Sequence, residues 1–286
     1  MQDFFKINST DLRAGIYVCA TPIGNLGDIT LRAIEILKLA DFIICEDNFM
    51  SMKLLKALDI KKKLITYNDH SDENTRQKIF ELILQNQKAA LISDAGTPLI
   101  SDPGYKLINE AIKKKIEVFT IPGPCSAIAA LSISGIESDR FVFLGFLSPK
   151  SGKRKQDLEK FGNLESSLII FATARNLIKD LQEIKEILGN RNIAVGRELT
   201  KIYEELKYGT IDEIITYYQN NVLKGEIVLI ISGKGESKNE DDAIKIMIRN
   251  MMDTHKLKEI ANIIGQKFNL TKKQAYEKAL EVKNQS

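Results

Sequence analysis

Short apolar runs alternate with helical patterns through the first half of this chain, and that alternation leaves few folds open. The apolar runs fall at residues 16–20, 42–45, 64–67, 89–92 and 118–121. Helical patterns separate and follow them near residues 31–39, 52–58, 73–85, 105–114 and 126–134. In the first of these, Leu31, Ile34, Ile36, Leu37 and Leu39 recur at helical spacing. A strand, a helix and a further strand in succession need a crossover connection. The expected product is a largely parallel sheet with helices on both faces.

Residues 133–139 (Ile-Ser-Gly-Ile-Glu-Ser-Asp) read as a linker to a second set of elements. Residues 140–146 alternate as a strand does, and further strands are expected at 168–171, 193–195 and 227–231. Helical patterns stand at 177–188 and around 211–218. A polar stretch over 232–242 marks a boundary, and three helices are expected beyond it, at 243–252, 257–268 and 272–282. Thr271 and Gln274 have the spacing of a capping box, and Asn269-Leu270 reads as a tight turn. The fold class expected is therefore α/β, with domains at 1–136 and 137–235 and a small helical tail at 236–286. The last two helices suit a helix-turn-helix that contacts nucleic acid, or equally a small bundle that docks on the body.

Charge matters through its placement. The chain carries a net +3, but residues 243–286 hold a local +5 and residues 148–160 a local +3, so the remainder is acidic at −5. Two separate basic zones favour a polyanionic partner such as RNA. No apolar run approaches a membrane span, and the first fifteen residues lack a secretory core. Cys19, Cys45 and Cys125 form no pair motif, and His70 and His255 are the only histidines, which disfavours a zinc site. These features point to the cytoplasm.

Three loops carry the chemistry. Thr21-Pro22-Ile23-Gly24-Asn25-Leu26-Gly27-Asp28-Ile29-Thr30 follows the first strand, with Asp28 or Thr30 placed to cap a helix. Ser93-Asp94-Ala95-Gly96-Thr97-Pro98-Leu99-Ile100-Ser101-Asp102-Pro103-Gly104 follows the fourth. Pro122-Gly123-Pro124-Cys125-Ser126-Ala127 follows the fifth. Neither the phosphate-loop nor the dinucleotide-binding glycine pattern is present. Loops after three parallel strands meet at one sheet edge, where open α/β sheets bind ligands.

These loops resemble those of the tetrapyrrole-methylase-like (class III) S-adenosylmethionine enzymes, and within them the RsmI-type ribosomal RNA methyltransferases. Glu46-Asp47, Ser138-Asp139-Arg140-Phe141, Arg197-Glu198-Leu199-Thr200-Lys201 and Lys224-Gly225-Glu226 add to the resemblance, which runs over nearly the whole chain. It implies two α/β domains with S-adenosylmethionine in the cleft between them, and a homodimer. It also implies methyl transfer to the ribose 2′-oxygen of cytidine 1402 in 16S rRNA of the small ribosomal subunit. Cofactor contacts would come from Pro22, Asp94, Gly96, Thr97, Ile100, Ser126 and Ala127, and from Phe171, Ala172 and Ile227 of the second domain. The 2′-hydroxyl must lose a proton, for which Glu46, Asp47, Asp102, Glu198 and Lys201 stand as open candidates. The chain departs from the family pattern at Asn48-Phe49, where relatives carry Thr-Arg, and at residues 172–176. A same-fold enzyme acting on a small tetrapyrrole-like molecule and a non-catalytic ribosome-binding relative are the alternative readings.

Overall fold

The computed structural model describes residues 12–68, 71–221, 224–234, 238–252, 255–268 and 270–284. Strands β1 (Gly15–Cys19), β2 (Phe42–Cys45), β3 (Lys63–Thr66), β4 (Lys88–Leu91) and β5 (Val118–Ile121) form one sheet in the order β3-β2-β4-β1-β5. Every pairing in it is parallel, as the strand–helix alternation requires. The connecting helices are α1 (Leu31–Leu39), α2 (Asn48–Ala57), α3 (Glu73–Leu84) and α4 (Tyr105–Lys113), followed by α5 (Ser126–Ile133).

Strand periodicity divides the side chains between two cores. Tyr17, Cys19, Ile43, Cys45 and Ala90 pack with Ala33, Ile36 and Leu37 of α1 and Leu55 of α2. Ile16, Phe42, Ile44, Ala89 and Leu91 pack with Ile79, Phe80 and Ile83 of α3 and Leu107 of α4. Each fully buried Ile, Leu or Phe among these contributes about 1.5–3 kcal/mol. Of the two cap candidates, Thr30 caps α1: its hydroxyl accepts the Ala33 N–H at 3.1 Å.

The second sheet is mixed. Strands β6 (Phe141–Phe146), β7 (Ser167–Thr173), β8 (Asn192–Arg197), β9 (Glu205–Thr210) and β10 (Glu226–Ile231) lie in the order β6-β7-β10-β8-β9. Only β6 and β7 run parallel. One face is covered by α6 (Ser151–Gly162), α7 (Leu177–Leu188) and α8 (Ile211–Gln219) through Leu158, Leu181, Ile184, Ile211 and Ile214. The other face receives α5, which packs against β7 and β10. Its Ala127, Ala130 and Leu131 join Ile169, Ala194, Val228 and Ile230.

Two readings from sequence change here. Strand β9 was not anticipated, because Glu205-Leu206-Lys207-Tyr208-Gly209-Thr210 is a half-buried edge strand with no apolar run. The basic stretch 148–160 is largely helix α6, and Arg154 within it is buried and paired with Glu183 of α7. Arg154 therefore offers no charge to a partner, whereas Lys150, Lys153, Lys155 and Lys160 remain exposed.

The chain divides into two compact units, Met1–Ser232 and Gly233–Ser286. The second unit contains α9 (Lys238–Met251), α10 (Leu257–Lys267) and α11 (Lys272–Asn284), which share a core of Ile244, Ile248, Ile260, Ile264, Ala275 and Val282. The capping box forms as expected: the Thr271 N–H donates to Gln274 Oε1 at 3.0 Å, and the Gln274 N–H donates to Thr271 Oγ1 at 3.4 Å. Asn269 of the expected turn and residues 235–237 of the expected boundary stretch lie outside the described residues. No described helix is long and apolar enough to cross a membrane.

Phe42 is fully buried and Leu84 is exposed. Phe42→Ala is expected to lower the unfolding free energy by about 3–5 kcal/mol in a urea titration. Leu84→Ala is expected to stay within about 0.5 kcal/mol.

Candidate active site

The loops after β1, β4 and β5 are tied to one another at the C-terminal edge of the first sheet. Thr21 and Gly96 exchange two backbone hydrogen bonds, at 2.8 and 3.1 Å. The Thr21 hydroxyl donates to the Ser93 carbonyl at 3.2 Å, and the Thr97 hydroxyl donates to the Pro124 carbonyl at 2.9 Å. Gly96 has φ +77°, and a Cβ there would lie 3.2 Å from Cγ2 of Ile23, so the close approach depends on glycine.

Backbone strain concentrates on the two sides of the same cleft. Seven described non-glycine residues have positive φ. Asp59, Asn86 and Lys115 terminate helices α2, α3 and α4, and the residue after each closes the turn by a backbone hydrogen bond. The other four are Leu99 and Ser101 in the second loop, and Glu198 and Thr200 in the loop after β8. Such residues cost about 1–3 kcal/mol each and persist where the surroundings over-determine them.

A cavity of about 250 Å³ opens between these loops and the second sheet. The first half contributes Ile23, Ser101, Asp102 and Ser126; the second contributes Phe146, Phe171, Ala172, Leu199 and Ile227, with Gly225 and Glu226 at the lip. Five residues singled out from sequence therefore line it: Asp102, Ser126, Phe171, Ala172 and Ile227. Pro22, Asp94, Gly96 and Thr97 lie in the loops that build its rim without lining it. Ala127 is buried in the α5 core, and Ile100 is exposed. Ile23, Ser101, Phe146 and Leu199 were missed. Their signal was adjacency to special residues: Ser101 precedes Asp102, and its hydroxyl lies 2.8 Å from where a Gly145 Cβ would stand.

The proton-acceptor candidates separate by environment. Burial raises the Asp102 carboxyl above the usual carboxylate value, with Asp94 adding to the rise and the Ser93 hydroxyl partly opposing it. Its buried Oδ2 has no hydrogen-bond partner among the described residues. Asp94 is also raised, by burial and then by Asp47, while the Asp47 backbone N–H opposes the rise. Asp47 Oδ1 accepts the N–H groups of Phe49 and Met50 at 2.7 and 2.9 Å and so caps α2. Glu46 is half-buried at the end of β2.

Glu198 and Lys201 pair with each other instead of facing the cavity alone. Lys201 Nζ donates to Glu198 Oε1 at 2.8 Å and to Glu226 Oε2 at 3.0 Å. The Glu226 N–H also donates to Glu198 Oε1, at 3.0 Å. Lys201 and the Glu226 N–H hold Glu198 below its ordinary value. Burial alone would lower Lys201, but its two carboxylate partners outweigh that and keep it above the usual lysine value. The Lys201 stem packs on the first loop, 2.5 Å from where a Gly24 Cβ would stand. A paired ammonium and a depressed carboxylate are poor bases, whereas Asp102 combines access, burial and raised proton affinity. No described cluster of His, Cys, Asp and Glu could hold a metal ion.

Comparison with known proteins gives this geometry a context. The family model for tetrapyrrole (corrin/porphyrin) methylases matches residues 15–215. A protein of Rickettsia prowazekii named ribosomal RNA small subunit methyltransferase I is 52% identical over 229 residues, 80% of this chain and 82% of that protein. One of the same name from Erythrobacter litoralis is 47% identical over 272 residues, covering 95% and 96% respectively. The crystal structure of uroporphyrin III C-methyltransferase from Thermus thermophilus shares the fold at a TM-score of 0.54 and 14% identity, over 77% of this chain and 97% of that one.

Gly225 has φ +97°, and a Cβ would stand 2.5 Å from Cδ of Glu198. Gly225→Ala is expected to destabilise the chain by about 1–3 kcal/mol in urea unfolding. Gly152→Ala, in α6 with nothing within 4 Å of the new Cβ, is expected to be neutral or stabilising by up to ~1 kcal/mol. Because the Glu198 value is depressed by folding, its contribution is full above the unfolded glutamate value and is lost as pH falls through the folded one. Lys201→Met is expected to flatten that acid loss in unfolding titrations taken across this range.

Proposed function

Because the chain belongs to the tetrapyrrole methylase family, among the ribosomal RNA small subunit methyltransferase I proteins, we propose that it methylates 16S ribosomal RNA of the small subunit. We assign the target as the ribose 2′-oxygen of cytidine 1402 and the methyl donor as S-adenosylmethionine. What carries this reading is likeness to proteins of that name over nearly the full length of the chain. The reading also takes the enzyme to work in the cytoplasm as a homodimer.

The cavity suits such a donor. It pairs apolar walls, Phe171, Leu199 and Ile227, with the polar loop of the first half, and it holds a buried carboxylate oxygen that lacks a partner among the described residues. Ligand sites commonly combine apolar walls with a few convergent polar groups. In our assignment the donor lies against Ser126 on one side and Phe171, Ala172 and Ile227 on the other, with Pro22, Asp94, Gly96, Thr97 and Ile100 in the loops around it and Ala127 behind Ser126 in the α5 core. When bound it supplies a methyl group carried on a sulfonium sulfur. The negative charge of Asp94 favours a cation nearby.

Asp102 takes the proton of the ribose 2′-hydroxyl in this scheme. Its raised proton affinity makes it a better base than an exposed aspartate. Glu198 and Lys201 act by position: their ion pair braces the first loop through Gly24. Asp47 caps the start of α2 beside the second loop, and Glu46 precedes it at the end of β2.

Labelled S-adenosylmethionine and 30S subunits lacking the modification test the assignment, with the product mapped by 2′-O-methyl-sensitive primer extension. Labelling at cytidine 1402 is expected. Labelling of a porphyrinoid alone would replace this target with a small molecule, and no binding of the donor by calorimetry would remove the enzymatic reading. Asp102→Asn is expected to lower kcat about 10²–10⁴-fold with little change in donor affinity. The wild-type acid limb of kcat/KM should lie above the ordinary aspartate value and be lost in the variant. Unchanged kcat would exclude Asp102 as the base.

A further inference from the structure

A second concavity lies outside the cleft, along α2 and the open edge strand β3. It has a volume of about 610 Å³ and is bordered by Asn48, Met52, Lys56, Asp59, Lys61 and Lys62. Among the described residues β3 pairs only with β2, and it ends the sheet order on that side. In a parallel sheet the connecting helices run back against the strands, so α2 leads from the cleft edge of the sheet towards its opposite edge. Ten residues of helix cover about 15 Å. The groove is thus a track that begins where the candidate active site ends. At its head stands Asp47, the N-cap of α2, close enough to the Asp94 carboxylate of the second loop to influence it electrostatically.

The surface of this track is unusual in two ways. Phe49 is 63% exposed and Met52 is 53% exposed on a helix whose other face is in the core. Lys56, Lys61 and Lys62 border the groove against one acid, Asp59, and Lys53 stands beside Phe49 on the adjoining face of the helix. None of these four lysines is in an ion pair among the described residues. Lys53 Nζ sits 4.3 Å from the centre of the Phe49 ring, so the cation and the aromatic face are presented together. Uncompensated lysines attract phosphates, and an exposed ring offers a base a stacking platform.

We propose that the α2–β3 groove docks a single-stranded stretch of the substrate RNA, with the lysines on the phosphates and Phe49 stacked on an unpaired base. This rests on the RNA reading above and assigns where the strand lies as it leaves the cleft. The charge complementarity selects RNA over a second copy of this chain, because pairing two surfaces with this lysine excess would set like charges together.

Fluorescence anisotropy with a labelled single-stranded oligoribonucleotide spanning cytidine 1402, and methyl transfer to 30S subunits, test it on the full chain. A Lys56→Glu, Lys61→Glu, Lys62→Glu triple variant is expected to weaken binding. It should also reduce the slope of log affinity against log salt by about 2, the change for three lost phosphate contacts on a single strand. Phe49→Ala is expected to weaken binding roughly 5- to 100-fold with the salt slope unchanged. Both variants should bind S-adenosylmethionine as the wild type does and give wild-type circular dichroism, which separates docking from misfolding. KM for 30S subunits should rise more than kcat falls. Wild-type affinity and salt slope in both variants would overturn the groove while leaving the methyltransferase reading intact. A wild-type protein that methylates no RNA would instead overturn that reading. If Phe49→Ala dissociates a dimer in sedimentation velocity without altering RNA affinity, the surface is a self-association face and the proposal is wrong.

Discussion

Two backbone hydrogen bonds between Thr21 and Gly96 hold the candidate active site together. They join the loop after β1 to the loop after β4, strands that are neighbours in the sheet. Once that pairing is made, Ile23 faces the cavity, and Thr97 reaches the carbonyl of Pro124 in the third loop. The strained turn at Leu99 and Ser101 is then fixed with Asp102 directed inwards. Each loop alone is an ordinary strand-to-helix connection. Their mutual pairing makes a rigid rim, which catalytic groups need if their geometry is to hold.

The opposite wall depends on a different kind of order. Glu198, Lys201 and Glu226 form a charge cluster in which each carboxylate holds the ammonium, and Gly24 and Gly225 are the small residues that let it pack. Partly exposed ion pairs contribute little to stability. Their value here is placement: a long, flexible lysine is given one position against the first loop.

Much of the first sheet was legible because its signals are local. A buried parallel strand such as Phe42-Ile43-Ile44-Cys45 must be apolar throughout, and Thr30 and Thr271 advertise helix starts through the N–H groups they satisfy. The three loops could be read because turns at strand ends need glycine, proline and aspartate. What escaped was set by contacts distant in sequence. Strand β9 gains its place from pairing with β8 and from the edge position, and neither leaves an apolar run. Arg154 looks like a surface cation until Glu183, on the next helix, buries it. Phe146 and Leu199 line the cavity only because β6 and the loop after β8 reach it in the folded chain. Among the five proton-acceptor candidates the sequence offered no ranking. Burial and pairing, which distinguish Asp102 from Lys201, are properties of the assembled cleft.

Helix α5 carries a consequence for how the chain comes apart. It follows the last strand of the first sheet, yet its Ala127, Ala130 and Leu131 are interleaved with Ile169, Val228 and Ile230 of the second. The two α/β halves therefore share an apolar core that neither can complete from its own sequence. Unfolding one half strips the other of a helix, so the two should melt in a single cooperative transition. A proteolytic nick in the stretch between α5 and β6 would sever the backbone and still leave the fragments clasped, as a non-covalent pair that separates only in denaturant.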